Sequence, residues 1–227
     1  MLDQARNVFK RSVETVLFSL MVRVLIYAVL LGAIAYSLLW GAVVYDHVFF
    51  DELGPVEIAQ TVFALSAALF FLLAAKRDSS KVPATVLITG VMCCFCIREW
   101  DYLLDEYAGK HAWKIGVTLV LLGMSVYLVS NLRAVHLSIR KFTHLPSFGV
   151  FLSGFLVLFA FSRLFGYGPF WKAIMDDSNY RMVKTIVEEG VETMGYFLIL
   201  VSALEFFHEA RIHTRSHQSK RIADPSN

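Results

Sequence analysis

The sequence predicts an all-α polytopic membrane protein: a bundle of about six transmembrane helices with both termini cytoplasmic, preceded by a short amphipathic interfacial helix. Three observations predict it. Hydrophobic residues fill 57% of the 227 positions and charged residues only 18%, with a mean hydropathy of +0.58, which is outside the range of soluble domains. The apolar residues gather into six runs, near 24–44, 56–75, 82–97, 115–132, 147–166 and 185–207, each long enough with its flanks for one spanning helix. The basic residues stand in short clusters at the ends of those runs, where topology signals lie.

The elements follow in order. Residues 3–22 set Arg6, Lys10, Arg11 and Glu14 among Val8, Phe9, Val13 and Leu17, the pattern of a helix lying along a surface, with Arg23 snorkelling to the same interface. This gives an interfacial helix over 1–23, a six-helix domain over 24–207 and a basic tail over 208–227. Ala33-Ile34-Ala35 superficially resembles a cleavage site, but the apolar sequence continues to Val44, so a retained first span is expected rather than a removed signal peptide. The polar residues of the links 76–81 and 133–146 are, apart from Asp78, basic and hydroxyl residues of ordinary type. The links 98–114 and 163–184 are longer and chemically richer. Each begins with an arginine and later carries a Trp-Lys pair, at Trp113-Lys114 and Trp171-Lys172, a weak hint of repeated hairpins.

Counting by side, 14 of the 21 basic residues and 6 of the 19 acids fall with the termini, a balance of +8 against −6 on the other side. The positive-inside rule then places the termini in the cytoplasm. Thirteen acids consequently face outward, and a carboxylate inside a membrane span is costly enough to mark function. A net charge of +2 with dispersed basic clusters gives no reason to expect nucleic acid. The absence of an Asn-x-Ser/Thr sequon and the compact loops suit a bacterial inner membrane.

The candidate carboxylates, as base or ion ligand, are Glu57, Glu99, Glu188 and Glu192. At 100° per residue Thr185, Glu188, Glu189 and Glu192 share one face, with Gly190 opposite and Glu192 about one turn inside the last span. Arg98 is a natural partner for Glu99, Glu188 or Glu192, because a guanidinium stays charged when desolvated and binds a carboxylate through two hydrogen bonds. Arg163 lies inside the end of an apolar run and needs a carboxylate or a lipid phosphate. Glu57 follows Pro55 in the first turn of its span, where it suits the helix dipole. Its face also carries Gln60, Thr61, Ala64 and Ala68, small and polar residues that turn toward other helices. Asp101, Tyr102, His111 and Lys184 complete the candidate binding set. If the third span continues beyond Arg98, the face with Asp101, Tyr102 and Asp105 is polar, and Trp100, Leu103, Leu104 and Tyr107 form the apolar one. Asp46, Asp51, Glu52, Asp176 and Asp177 read as solvated loop acids.

A divalent cation is a candidate cofactor, held by Glu57, Glu99, Glu192 and His111, since hard cations take oxygen ligands. There is no Glu-x-x-His pair of a di-metal bundle. His47 and His111 lack a second histidine at helical spacing, which disfavours a His-rich zinc site and a bis-histidine haem. With no phosphate loop, nucleophile elbow or dinucleotide fingerprint, nucleotide chemistry has no support. Cys93, Cys94 and Cys96 read as apolar packing residues, and His208, His213 and His217 as part of a solvated tail. Membrane lipids are the expected partners, with a small ion, a solute, a lipid substrate, a second copy or another protein as further candidates. Two activities fit: handling a cation, proton or small solute, or acting on a lipid at the outer leaflet. The alternative is an accessory or scaffold subunit whose ion pairs are structural. The sequence states no reaction.

Overall fold

A computed structural model describes the backbone of residues 2–51, 53–175 and 180–223, and the side chains of 14, 16–45, 48–51, 53–175 and 180–212. The side chains of Arg6, Lys10, Arg11, Val8, Phe9, Val13, Asp46, His47, Glu52, Asp176, Asp177, His213 and His217 lie outside the described residues. All regular structure among the described residues is helical, and six helical segments are long and apolar enough to cross a membrane: Val16–Val44, Pro55–Arg77, Ser79–Glu99, Ala112–Ser130, Pro146–Phe165 and Tyr180–Ile212.

The chain divides into two compact units, Met1–Val44 and Tyr45–Asn227. The first is one helix, α1 (Leu2–Val44), without the break that a separate surface helix over 1–23 would need. The second unit contains α2 (Pro55–Arg77), α3 (Val82–Glu99), α4 (Asp101–Ala108), α5 (Ala112–Ser130), α6 (Leu132–Thr143), α7 (Pro146–Leu156), α8 (Ser162–Phe165), α9 (Gly168–Ile174) and α10 (Tyr180–Ala223). Proline opens α2, α3 and α7 within the first two positions, where its missing N–H costs nothing and its fixed φ suits a helix.

The second unit is organised around α2 and α10. Gln60, Ala64, Ala67, Phe71 and Ala74 are buried on α2, and Glu192, Tyr196, Ile199, Ala203, Phe206 and Ala210 on α10. Both sets advance in alternating steps of four and three, the seam of helices packed at a shallow angle. Gln60 meets Thr193, Phe63 meets Phe197, and Phe70 meets Phe207, so the two helices run parallel. In lipid, where burial alone supplies little drive, small residues that admit close backbone contact hold such a pair together.

The same device joins the fifth span to α10. A Cβ at Gly154 would lie 2.9 Å from the carbonyl oxygen of Gly195 and 3.0 Å from the Ile199 nitrogen, so two backbones meet there. Below this contact, Phe71, Phe142, Phe151 and Phe206 pack edge to face or tilted at centroid distances of 5.0–6.3 Å, within the favourable range for aromatic pairs. Above it, Val157–Phe161 forms a wide π turn between α7 and α8. Gly154, Leu158 and Ser162, spaced by four, are all turned inward. A regular helix would carry that line round by about 40° per step, and the wide turn removes the drift.

Two expected links take a different form. The third span does not run on through Trp100: α3 ends at Glu99 and α4 starts anew at Asp101. The link 133–146, expected to be unremarkable, is the amphipathic helix α6. It buries Val135, Ser138 and Phe142 and exposes Arg133, His136 and Arg140. Ser138 Oγ accepts from the Ala84 N–H at 3.2 Å and donates to the Ser80 carbonyl at 2.9 Å, which satisfies one of the unpaired N–H groups at the start of α3. The two Trp-Lys pairs also occupy dissimilar places. Trp113 opens the fourth span, whereas Trp171 is buried on α9 and donates to the Phe165 carbonyl at 2.5 Å, so they do not mark equivalent hairpins.

Backbone contact at Gly154 makes a differential outcome testable by thermal denaturation in detergent. Gly154→Ala is expected to destabilise by about 1–3 kcal/mol through overpacking. Gly149→Ala, on the same helix where an added Cβ meets nothing within 4 Å, should be neutral or gain up to about 1 kcal/mol from helix propensity.

Candidate functional site

The centre of the site is Glu192, 2% exposed and the first of the α10 residues in the α2–α10 seam. The helix carrying it begins at Tyr180, so Glu192 lies about three turns along α10, where a single turn was expected. Arg181 and Lys184 disguise the first of those turns as the end of a polar link. Lys184 Nζ reaches Glu188 Oε2 at 3.1 Å, four residues on, an ordinary intrahelical pair.

Each Glu192 oxygen receives a guanidinium. Arg98, in the last turn of α3, donates from Nη2 to Oε2 at 2.5 Å, and Arg163, in α8, donates from Nη2 to Oε1. The wide turn before α8 aims Arg163: it keeps Ser162 inward, its hydroxyl on the Leu158 carbonyl at 2.5 Å, and leaves the next residue facing α10. Arg98 Nη2 and Nε also donate to Glu99 Oε1 at 2.9 and 3.3 Å. Tyr196, one turn below Glu192 and 1% exposed, donates its hydroxyl to the same Glu99 oxygen at 2.7 Å. Arg163 Nη2 lies 3.9 Å from Glu188 Oε1. Gly166 leaves room for that carboxylate, since a Cβ there would clash with Glu188 Oε1. The network therefore runs Glu99, Arg98, Glu192, Arg163, Glu188, Lys184, with three charges of each sign.

Glu189 belongs to a second set. It is 100° round the helix from Glu188, and this divides the face on which all four residues were expected to act together. Gln60 Nε2 contacts Glu189 Oε2 at 2.9 Å, Thr193 Oγ1 at 3.1 Å and the Glu189 carbonyl at 3.2 Å. Thr193 Oγ1 donates to that carbonyl at 2.8 Å. Trp100 Nε1 donates to Thr61 Oγ1 at 2.9 Å, tying the α3–α4 corner to α2. Among the described residues Glu189 has no cationic partner, and Gln60, fully buried, has an Oε1 that no donor reaches.

Of the expected residues, Glu99, Glu188, Glu192, Arg98, Arg163 and Lys184 are brought into one network. Glu57 accepts from the Leu53 N–H at the start of α2, as a helix-terminal carboxylate should. Asp101 begins α4, Tyr102 is exposed on it, and His111 is exposed in left-handed conformation before α5. These three make no side-chain hydrogen bond or ion pair among the described residues. Thr193, Tyr196 and Ser162 enter the site without having been singled out, and Gln60, expected only to face other helices, joins them. Thr193 and Tyr196 stand four residues beyond Glu189 and Glu192, the one signal that would have found them. No three His, Cys, Asp or Glu side chains among the described residues are assembled as a metal would require.

Below the layer, Phe95, Arg98, Leu158, Phe159, Arg163 and Tyr196 line a cavity of about 200 Å³. Its walls are apolar and its rim is two guanidiniums. Each retains an Nη1 that no acceptor among the described residues engages. Arg163 is 54% exposed. On another side, Thr61, Leu65, Cys96, Ile97, Trp100, Leu103, Leu104 and Tyr107 line an apolar groove of about 430 Å³, formed by the face of α4 that the sequence marks as apolar.

The two-sided pairing of Glu192 sets a hierarchy that thermal melts of the purified protein can check. Glu192→Ala leaves two guanidiniums short of a partner and is expected to cost roughly 3–5 kcal/mol. Glu188→Ala removes a less buried acid and should cost about 1 kcal/mol or less. Equal losses would show that Glu192 does not organise the network.

Compared with protein-family models, curated proteins and solved structures, the chain finds no match in any of the three.

Proposed function

We propose that this integral membrane protein binds the anionic headgroup of a lipid at the outer leaflet, with Arg98 and Arg163 as the headgroup cations and Glu192 as the carboxylate that aims them. The observation that supports this reading is the cavity rimmed by the two guanidiniums and walled by Phe95, Leu158 and Phe159. A phosphate or carboxylate would take the two unengaged Nη1 groups by charge-assisted hydrogen bonds. An acyl chain would follow the phenylalanines. Phe159 is half exposed, so a lipid reaches the cavity from the bilayer without crossing water.

Handling of a cation, proton or small solute has less support. The three carboxylates of the network are balanced by three cations, so only Glu189, held by Gln60, offers an incoming ion a carboxylate without a cation. Toward the other end of the spans, the aromatic cluster around Phe71 and Phe142 interposes apolar side chains. The same balance favours a second reading, a scaffold subunit whose ion pairs fix helix positions. Lipid extraction followed by mass spectrometry of the purified protein separates the two. Lipid binding requires a phosphate- or carboxylate-bearing lipid to be retained and Arg163→Gln to weaken retention roughly tenfold or more, the worth of a charge-assisted hydrogen bond. A well-folded variant with unchanged lipid content sinks the lipid reading in favour of the scaffold.

The orientation belongs to the same proposal: termini in the cytoplasm of a bacterial inner membrane and the Glu192 layer facing the periplasm. It rests on the distribution of Lys and Arg. In intact cells an impermeant maleimide should label Lys110→Cys and spare Ser79→Cys. The reverse pattern would invert the topology.

A further inference from the structure

At the end of the second unit away from Glu192, the chain forms a second cavity, of about 360 Å³, that the lipid proposal leaves unused. Asp78, Ser80, Lys81, Ser138, Lys141, Phe142, His144, Leu145, Phe206 and Glu209 line it. Its charges contrast with those of the Glu192 layer. There every oppositely charged neighbour closes into a pair. Here two lysines, a histidine and two carboxylates surround one space, and among the described residues no lysine or histidine nitrogen comes within salt-bridge distance of a carboxylate oxygen.

Local structure holds the charges apart. Asp78 spends Oδ1 on Ser80, accepting from its N–H at 3.1 Å and its hydroxyl at 2.8 Å. Glu209 accepts from Ser147 Oγ at 2.9 Å through Oε2, and Ser147 is itself fixed by Ser202 Oγ on its carbonyl at 2.8 Å. Asp78 thus keeps Oδ2, and Glu209 is held by Ser147 through its hydroxyl and its backbone N–H. Lys81 Nζ sits 4.0 Å from the centre of the Phe206 ring, a cation–π contact that draws it over the cavity wall. Lys141 and His144 make no side-chain hydrogen bond or ion pair among the described residues. Phe142, Leu145 and Phe206 supply the apolar wall, and α6 brings Lys141 there with its apolar face turned toward the bundle.

We infer that this cavity is a binding site for a zwitterionic amino-phospholipid headgroup, with the phosphate on Lys81, Lys141 and His144 and the ammonium between the carboxylates of Glu209 and Asp78. A purely anionic headgroup would satisfy the cations and leave two carboxylates facing it, and a simple cation would do the reverse. A ligand carrying both charges satisfies both sets, and each hydrogen bond to a charged group strengthens in a low-dielectric pocket. Apolar walls beneath a polar rim at the end of the spans suit a lipid. Free phosphoethanolamine shares the headgroup chemistry and lacks the acyl chains. The site does not depend on the Arg98–Arg163 cavity, which is at the opposite end of the same helices.

The test uses the full chain in detergent, stripped of lipid and carrying Arg163→Gln so that the other cavity binds roughly tenfold more weakly. Binding of short-chain phosphatidylethanolamine, phosphatidylglycerol and free phosphoethanolamine is measured by native mass spectrometry. Phosphatidylethanolamine is expected to bind at least fivefold more tightly than phosphatidylglycerol. Exposed Lys141, changed to Gln, should weaken both lipids, whereas Glu209→Gln should weaken phosphatidylethanolamine alone and so erase the preference. Three results would overturn the inference: equal binding of the two lipids by the unsubstituted site, an unaltered preference in Glu209→Gln, or free phosphoethanolamine binding as tightly as the lipid. Should Glu209→Gln fail to fold, the preference itself and the weakening of both lipids by Lys141→Gln still decide the matter.

Discussion

A single carboxylate held between two guanidiniums fixes the upper end of the second unit. Glu192 belongs to α10, Arg98 to the end of α3 and Arg163 to α8, so one side chain sets the relative height and rotation of three spans. The force is steep because the alternative is poor: an unpaired charge at that depth has neither water nor a counter-ion. Aromatic packing below gives cohesion but less direction, since phenylalanine rings tolerate a range of tilts. The hydrogen-bonded charges supply the direction. Tyr196 extends it one turn downward by holding Glu99, which steadies Arg98.

The unit has two chemically different ends because its helices finish differently. At the Glu192 end, charges emerge from within the spans and face one another across tight helix contacts, so they neutralise internally. At the other end they stand on short links and on α6, anchored by serine hydroxyls, and remain apart. Backbone proximity decides between these outcomes. Gly154 and Gly195 bring the fifth span onto α10 a few turns below Arg163, whereas the α6 end is spaced by Phe142 and Phe206. Closed pairs position helices. Separated charges await a ligand.

Much of this was legible in the sequence. Spans of about 20 apolar residues announce themselves because the bilayer demands them, and arginines placed next to apolar runs point to carboxylate partners, as Arg98 and Arg163 do. Elsewhere local pattern and tertiary structure part company. The start of α10 before Thr185 reads as a link because Arg181 and Lys184 look solvated, although Lys184 pairs with Glu188 within the helix, and Glu192 therefore appeared shallower than it is. Gln60 meets Thr193 across 133 residues of chain, a contact with no local signature. The basic residues of α6 read as topology signals because the eye counts charge before it counts the period of Val135, Ser138 and Phe142. Trp100, apolar and helix-compatible, gives no warning of the break at which α4 turns away.

The wide turn at Val157–Phe161 has a further consequence. Its sequence, Val-Leu-Phe-Ala-Phe, contains no glycine, proline or polar residue that would specify it. What it contributes is a count. Its hydrogen bonds span one residue more than those of a regular turn, so the turn absorbs one residue and shifts the part of the span above by about 100° against a regular helix through the same positions. Without the wide turn, Arg163 would swing by that angle away from Glu192. The alignment of the arginine with its carboxylate is thus held by backbone geometry in an otherwise featureless apolar stretch. A lineage that lost one residue of the turn would be expected to form a regular helix there and to keep the alignment.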